Sequence, residues 1–225
     1  TPMTSIRAFS EILREGGLSE EDQIRFAGVI HDETIRLTRL LDDLLDLGAL
    51  ENATVRLHLS TVALTELLDR AEAASGIYEG GGGMVVRRRR LQEAGLMLRT
   101  DADRLVQVFV NLMSNARKYC DAPEPVLTVN VARLEGGVQV DFDDNGSGIP
   151  EESREIIFEK FSRLSDTSAA GGTGLGLAIC REIVARLGGE IAYLPGQGGA
   201  GFRVVLPRVA PREGAAPEAA AAAAE

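Results

Sequence analysis

Six leucines, Leu37, Leu40, Leu41, Leu44, Leu45 and Leu47, recur at i, i+3, i+4, i+7, i+8 and i+10. Only a helix gathers that spacing on one broad face. Ser19, followed three residues on by Asp22, has the form of the N-cap that opens this helix. Ahead of it, Thr1 suits an N-cap and Pro2 a first helical position, and Ile6, Phe9, Ile12 and Leu13 keep helical spacing as far as Gly16-Gly17. Two helices joined by so short a turn cannot bury so wide a stripe between themselves. The spacing predicts an antiparallel hairpin that forms a homodimer through residues 1–57 by closing a four-helix bundle; the alternative is a helix packed on its own domain.

After Leu50-Glu51-Asn52 the period changes, with Val55, Leu57 and Leu59 alternating as a strand and Thr61 placed to open a helix through Leu64, Leu67 and Leu68. Gly80 to Gly83 then Arg87 to Arg90 read as a turn and a solvated basic strand or loop. A strong helix is expected from Asp101 to Tyr119, strands at Val126 to Val131 and Val138 to Asp143, and helices from Glu151 and from Leu175 to Leu187, closed by Gly188-Gly189. Strands at Glu190 to Leu194 and Phe202 to Leu206 complete residues 58–207 as a second domain. Residues 208–225 are low-complexity and read as a tail. The fold class is therefore α+β: a helical hairpin, then helices on one face of a mixed or antiparallel sheet.

A formal net charge of −10 argues against non-specific binding to nucleic acid or anionic lipid, so any polyanion needs a local site. Cys120 and Cys180 are the only cysteines, which leaves no disulfide framework and no structural zinc site. No apolar run approaches the ~20 residues of a membrane helix, and no membrane contact is expected from this stretch. Thr1-Pro2-Met3-Thr4 has neither an initiator Met nor a signal-peptide layout, as in a fragment of something longer.

Three features carry chemistry. On the helix from Asp101, Leu105, Phe109, Leu112 and Ala116 form a core stripe, while Asn111, Asn115 and Lys118 fall at i, i+4 and i+7 on another face. Asn amides offer neutral oxygens to a hard cation such as Mg²⁺, and a lysine one turn on can meet a phosphate. Asp144-Asn145-Gly146-Ser147-Gly148-Ile149 ends a strand with two glycines, which lets backbone approach a ligand beside a carboxylate able to accept from an exocyclic amine. Gly171-Gly172-Thr173-Gly174-Leu175-Gly176-Leu177 runs directly into a helix, where free backbone N–H groups cradle phosphates. It is neither a Walker A loop nor a Rossmann fingerprint.

In this order the features resemble the catalytic core of two-component sensor histidine kinases. Residues 103–119 resemble the family's N box, Asp144 to Ile149 its G1 box, Ile157-Phe158-Glu159-Lys160-Phe161 its F box and Gly172 to Leu177 its G2 box. Thr1-Pro2-Met3-Thr4-Ser5-Ile6 resembles the second half of the H box, and the leucine-rich helix the second helix of the dimerisation and phosphotransfer domain. The resemblance implies a Bergerat-type ATP-binding sandwich using ATP and Mg²⁺. Asn115 would be the metal ligand, with Asn111 nearby. Lys118 and Tyr119 would line the phosphate and ribose side, and Asp144 would hold the adenine amine. Gly146, Gly148 and Ile149 would shape the base site. Gly172, Gly174 and Gly176 would shape the hinge of a lid spanning residues 162–171, and Thr173, Leu175 and Leu177 would belong to the ATP-binding set with them. Asn115, Lys118 and Thr1 would be the catalytic residues, Thr1 by orienting water for dephosphorylation of the regulator. The chemistry implied is phosphoryl transfer from ATP to a histidine, then to an aspartate of a response-regulator receiver domain, in the cytoplasm and compatibly with a membrane-bound receptor.

One position departs from this pattern. The family's phosphoacceptor lies four residues before the Thr of Thr-Pro, which falls ahead of Thr1. His31, in His31-Asp32-Glu33-Thr34, lacks a following Thr-Pro, and His58 is out of phase with Leu57 and Leu59. Two rivals remain. A gyrase-type ATPase puts a water-activating glutamate four residues before the metal-binding Asn, where this chain has Asn111, an amide that cannot act as a base. A degenerate kinase would keep the fold as a dimeric scaffold.

Overall fold

The computed structural model describes residues 2–52, 56–78, 83–89, 95–162, 172–195 and 198–207. Thr1, Val55, Gly80 to Gly82, Arg90, the segment 163–171 and the tail 208–225 lie outside them. Helix α1 (Pro2–Glu15) and helix α2 (Glu20–Glu51) form the expected hairpin. Ser19 caps α2 by accepting the Asp22 N–H at 3.1 Å, and Phe9 stacks on Phe26 with ring centroids 5.1 Å apart. The leucine stripe divides along its length. Leu47 and Leu50 are buried, whereas Leu41, Leu44 and Leu45 stay 57%, 40% and 64% exposed, so a single chain leaves the middle of the stripe uncovered.

The remaining elements are β1 (Leu59–Ala63), α3 (Leu64–Ala74), β2 (Val85–Arg89), β3 (Met97–Asp101), α4 (Ala102–Tyr119), β4 (Val126–Leu134), β5 (Gly137–Asp144), α5 (Gly176–Arg186), β6 (Glu190–Leu194) and β7 (Gly201–Leu206). A five-stranded sheet runs β2-β4-β5-β7-β6, parallel only between β2 and β4. Its inner face is built by alternation. Val129 lies opposite Phe142 and Phe142 opposite Phe202, while Val131 pairs with Val140 and Val140 with Val204. All are buried under α4 and α5, with Phe109 of α4 5.2 Å from Phe142. Opposite residues on one face are the contacts that stabilise a sheet, and here they also form its core. The fold is the α+β arrangement the patterning predicts.

Two local readings are corrected, at Thr61 and at Glu151, and the basic segment takes the strand option. The strand near residue 57 begins later, at Leu59, and takes in Thr61; the helix starts at Leu64. Pairing of Thr61 with Arg99 and the Leu64 N–H bond to the Leu96 carbonyl at 3.0 Å outweigh the capping tendency of Thr61. From Glu151 there is only one 3₁₀ turn, Glu151–Ser153, followed by turns. Ile157 is buried and Phe158 meets Phe202 edge-on at 6.3 Å, while Ile156 is 42% exposed; the chain wraps its apolar residues onto the sheet without forming a helical stripe. The basic segment is the edge strand β2, and its Arg88 pairs with Glu72 at 2.6 Å and Asp69 at 2.7 Å on α3.

Candidate functional site

Asp101 anchors α4 at its start, one oxygen accepting the Arg104 N–H and the other the His58 N–H. Leu105, Phe109, Leu112 and Ala116 are buried, which turns Asn111, Asn115 and Lys118 along the edge of a cleft of about 1170 Å³. Asn111 reaches the Gly176 carbonyl through its Nδ2 at a long 3.4 Å. The Asn115 amide lines the cleft and makes no hydrogen bond to any described residue.

At one end, Asp144 closes β5. Its Oδ1 accepts two backbone N–H groups, Gly146 at 2.9 Å and Ala200 at 3.0 Å, while its Oδ2 takes no bond from the described residues. Leu127, Phe142, Ile149, Ile157 and Phe202 give this end apolar walls. That combination suits a flat apolar base presenting one amine. The turn after Asp144 is stapled from outside: Asn145 accepts the Val126 N–H at 2.7 Å and donates to the Glu124 carbonyl at 2.9 Å. Asp121 accepts the Ser147 N–H at 2.7 Å, and that bond holds its carboxyl below the usual range.

At the other end, Gly172, Thr173, Gly174 and Gly176 bring backbone to the cleft where α5 begins. Thr173 Oγ1 accepts the Leu175 N–H at 3.3 Å. Lys118 Nζ lies 4.8 Å from the centre of the Tyr119 ring, and a Cβ on Gly172 would fall 2.7 Å from that same nitrogen. A narrow neck flanks the segment 163–171. Phe161, at φ 63°, donates its N–H to the Gly174 carbonyl at 2.9 Å, and Gly174 at φ +74° faces it so closely that a Cβ there would sit 2.9 Å from the Phe161 carbonyl carbon.

Residues 1–53 match the model of the His Kinase A (phospho-acceptor) domain, and residues 100–210 that of the histidine kinase-, DNA gyrase B- and HSP90-like ATPase. The chain belongs to the sensor histidine kinases, as their catalytic core. It is 35% identical to the sensor protein KdpD of Escherichia coli over 211 residues, 92% of this chain and 23% of that protein. It is 32% identical to the sensor histidine kinase WalK of Bacillus subtilis over 199 residues, 85% of this chain and 32% of that protein. The core thus spans about a quarter to a third of the length of these curated relatives. Among solved structures, the histidine kinase AdeS of Acinetobacter baumannii shares the fold with a TM-score of 0.73 at 22% identity, over 92% of this chain and 95% of that one. The mycobacterial sensor histidine kinase MprB aligns with a TM-score of 0.56 at 26% identity, over 67% of this chain and 100% of that one.

In this kinase core the cleft gathers most of the residues singled out from sequence: Asn111, Asn115, Lys118 and Tyr119 from α4, Asp144, Gly148 and Ile149 from the first glycine turn, and Gly172, Thr173, Gly174, Gly176 and Leu177 from the second. Gly146 and Leu175 stand behind the wall. A Cβ on Gly146 would press on Cys120 Cα at 3.0 Å, and Leu175 is fully buried. Thr1 lies outside the described residues, and His31 and His58 are exposed away from the cleft. Cys180 is buried, and burial pushes its thiol up to about 12, which leaves no thiolate for redox sensing.

Sequence reasoning missed that α2 supplies a wall. Arg39 and Asp43 line the cleft, and Asp43 Oδ2 accepts the Thr173 hydroxyl at 2.7 Å. Burial raises the Asp43 carboxyl above its ordinary range, opposed by the Thr173 bond. Further along, Asp46 accepts from Arg104 at 2.9 Å and Gln107 at 2.8 Å, and Glu51 meets Lys160 at 2.6 Å. These carboxylates, at 43, 46 and 51, sit beside the leucine stripe, and no signal in the sequence set them apart from the other polar residues of α2.

Proposed function

We propose that this core binds Mg-ATP across the cleft and transfers the γ-phosphoryl group to a nitrogen of a histidine that precedes Thr1 in the full-length protein. Domain limits of 1–57 and 58–207 accompany this reading. Asp144 Oδ2 receives the adenine amine between the apolar walls, Asn115 offers its amide oxygen to the cation, and Lys118 and the Gly172 to Gly176 backbone receive the phosphates. The donor set fits Mg²⁺: neutral oxygens of Asn115 and Asn111 suit a hard ion that takes few protein ligands and shares phosphate oxygens. Among the described residues no three His, Cys, Asp or Glu form a metal cage. When bound, Mg²⁺ supplies neutralisation of the charge that builds on the phosphates.

The observation that carries the reading is the state of the carboxylates around the cleft. Asp144 is engaged by two backbone N–H groups and Asp43 by the Thr173 hydroxyl, and the position four residues before Asn115 holds an amide. The Asn111 amide at that position cannot strip a proton from water, which favours transfer over hydrolysis. In the transfer, an imidazole lone pair attacks the γ-phosphorus, the N–P bond forms, and the bond to the β,γ-bridging oxygen breaks with its electron pair leaving on ADP. An aspartate oxygen of a receiver domain then displaces the imidazole in the same manner. ATP as donor and a receiver domain as acceptor support a cytoplasmic site for this work, compatible with the inner part of a membrane-bound receptor. Among the described residues no helix is long and apolar enough to cross a membrane.

The test is to extend the chain several helical turns upstream and incubate it with γ-labelled Mg-ATP. Acid-labile, alkali-stable label on the extended chain alone is expected. Label on both chains would transfer the acceptor role to His31 or His58; no label on either, with ATP still bound, would leave the scaffold reading.

The uncovered stripe of α2 supports homodimerisation through residues 1–57. A Leu41→Glu, Leu45→Glu double variant should run at half the native mass in light scattering, because two charges would be buried unpaired in the bundle. An unchanged mass would remove the bundle.

A further inference from the structure

We propose that Arg39 of α2 is a positioning residue for the terminal phosphate, so that the helical hairpin completes the nucleotide site of the domain that follows it. This rests on the cleft being the ATP site. Three cations line that cleft, Arg39, Arg117 and Lys118, and Arg39 alone comes from the hairpin. Its guanidinium forms no ion pair within 4 Å of a carboxylate on a described residue, whereas the neighbouring cations at this interface are spent: Arg104 on Asp46 and Lys160 on Glu51. Arg39 also precedes Asp43 by one helical turn, and Asp43 holds Thr173 at the mouth of the phosphate turn. The hairpin therefore carries to the wall that holds the phosphate turn a cation with no ion-pair partner among the described residues, whose charge acts on Asp43.

Chemistry makes the need plain. A triphosphate with one divalent cation keeps about two negative charges, and the Asp43 carboxylate lies on the same wall as a like charge. Lys118 leans over Tyr119, as a single point charge. A guanidinium has a planar fork that matches two phosphate oxygens at once, and it offsets Asp43 where the two domains meet. The outermost phosphate is the one added in going from ADP to ATP, so a cation brought by the opposing wall separates the two nucleotides. Nucleotide binding and docking of the hairpin are then linked: each strengthens the other by the same factor.

Calorimetry on the full chain with Mg-ATP and Mg-ADP tests this. Arg39→Ala should weaken Mg-ATP about tenfold, about 1.4 kcal/mol, and Mg-ADP less than twofold, while Arg39→Lys, which keeps the charge without the fork, recovers only part of the loss. Asp43→Asn keeps an oxygen for Thr173 and removes the like charge, so it should tighten Mg-ATP several-fold, the opposite sign. Equal losses for both nucleotides in Arg39→Ala, or a loss in Asp43→Asn, would reduce Arg39 to a structural contact and overturn the proposal. Asn115→Ala separates the two levels. If it leaves Mg-ATP affinity unchanged, the cleft itself is misassigned; if it weakens binding while Arg39→Ala leaves the ATP to ADP ratio untouched, only the role of Arg39 falls.

Discussion

Asp144→Asn should lower Mg-ATP affinity about 100-fold while leaving the fold intact. The two oxygens of Asp144 do different work. Oδ1 accepts two backbone N–H groups, so in the variant the amide oxygen is forced to that side and the NH₂ takes the place of Oδ2. A donor then faces the adenine amine, itself a donor. Losing a charged acceptor costs roughly 1.5–3 kcal/mol and the unmatched donor pair adds to it, together about 3 kcal/mol or two decades of affinity. A base that presents a carbonyl at that position should lose far less, so the ratio of ATP to GTP affinity should fall steeply. Calorimetry with both nucleotides gives the answer, and an unchanged ratio would take the base away from Asp144.

Gly199→Ala should be the most damaging single methyl group in the site. A Cβ there would lie 2.0 Å from the Asp144 carbonyl oxygen and 2.7 Å from its Oδ1. Neither atom can retreat: the carboxylate is pinned by two N–H groups, and the Asp144 N–H is bonded to the Ala200 carbonyl at 3.1 Å. Forced overpacking of this kind costs about 3 kcal/mol, which in a chain of this size lowers Tm by roughly 10 °C. Nucleotide affinity should fall with it, because the displaced atoms are those that aim Asp144. A melting curve identical to that of the native chain would mean that the β5–β7 junction is looser than these distances require.

The glycine turns and the Asn helix were legible in sequence because their signals are local. Each is a run of a few residues whose spacing sets which side chains share a face or which backbone approaches a ligand. The strands followed from alternation for the same reason, and the inner face Val129, Phe142, Phe202 and Val204 is that alternation in register. What escaped depends on distant partners. Thr61 entered a strand because Arg99 lay opposite it, and Glu151 failed to start a helix because Ile157 and Phe158 had the sheet to cover. Arg39 and Asp43 escaped for a third reason. Their role arises where the hairpin meets the phosphate turn, and nothing in the period of α2 announces which of its polar residues will be met.

The neck at Phe161 and Gly174 sets a rule for how this chain can change. One backbone hydrogen bond joins these two anchors, and Gly174 must stay glycine while Phe161 bears a left-handed backbone. With both ends fixed, doubling the intervening length adds only about 0.6 kcal/mol of closure entropy. Insertions and deletions are therefore cheap between residues 162 and 172 and expensive a few residues to either side. Divergence among such cores should accumulate there as differences in length, and a foreign peptide grafted between these anchors should report on the cleft without disturbing the sheet beneath it.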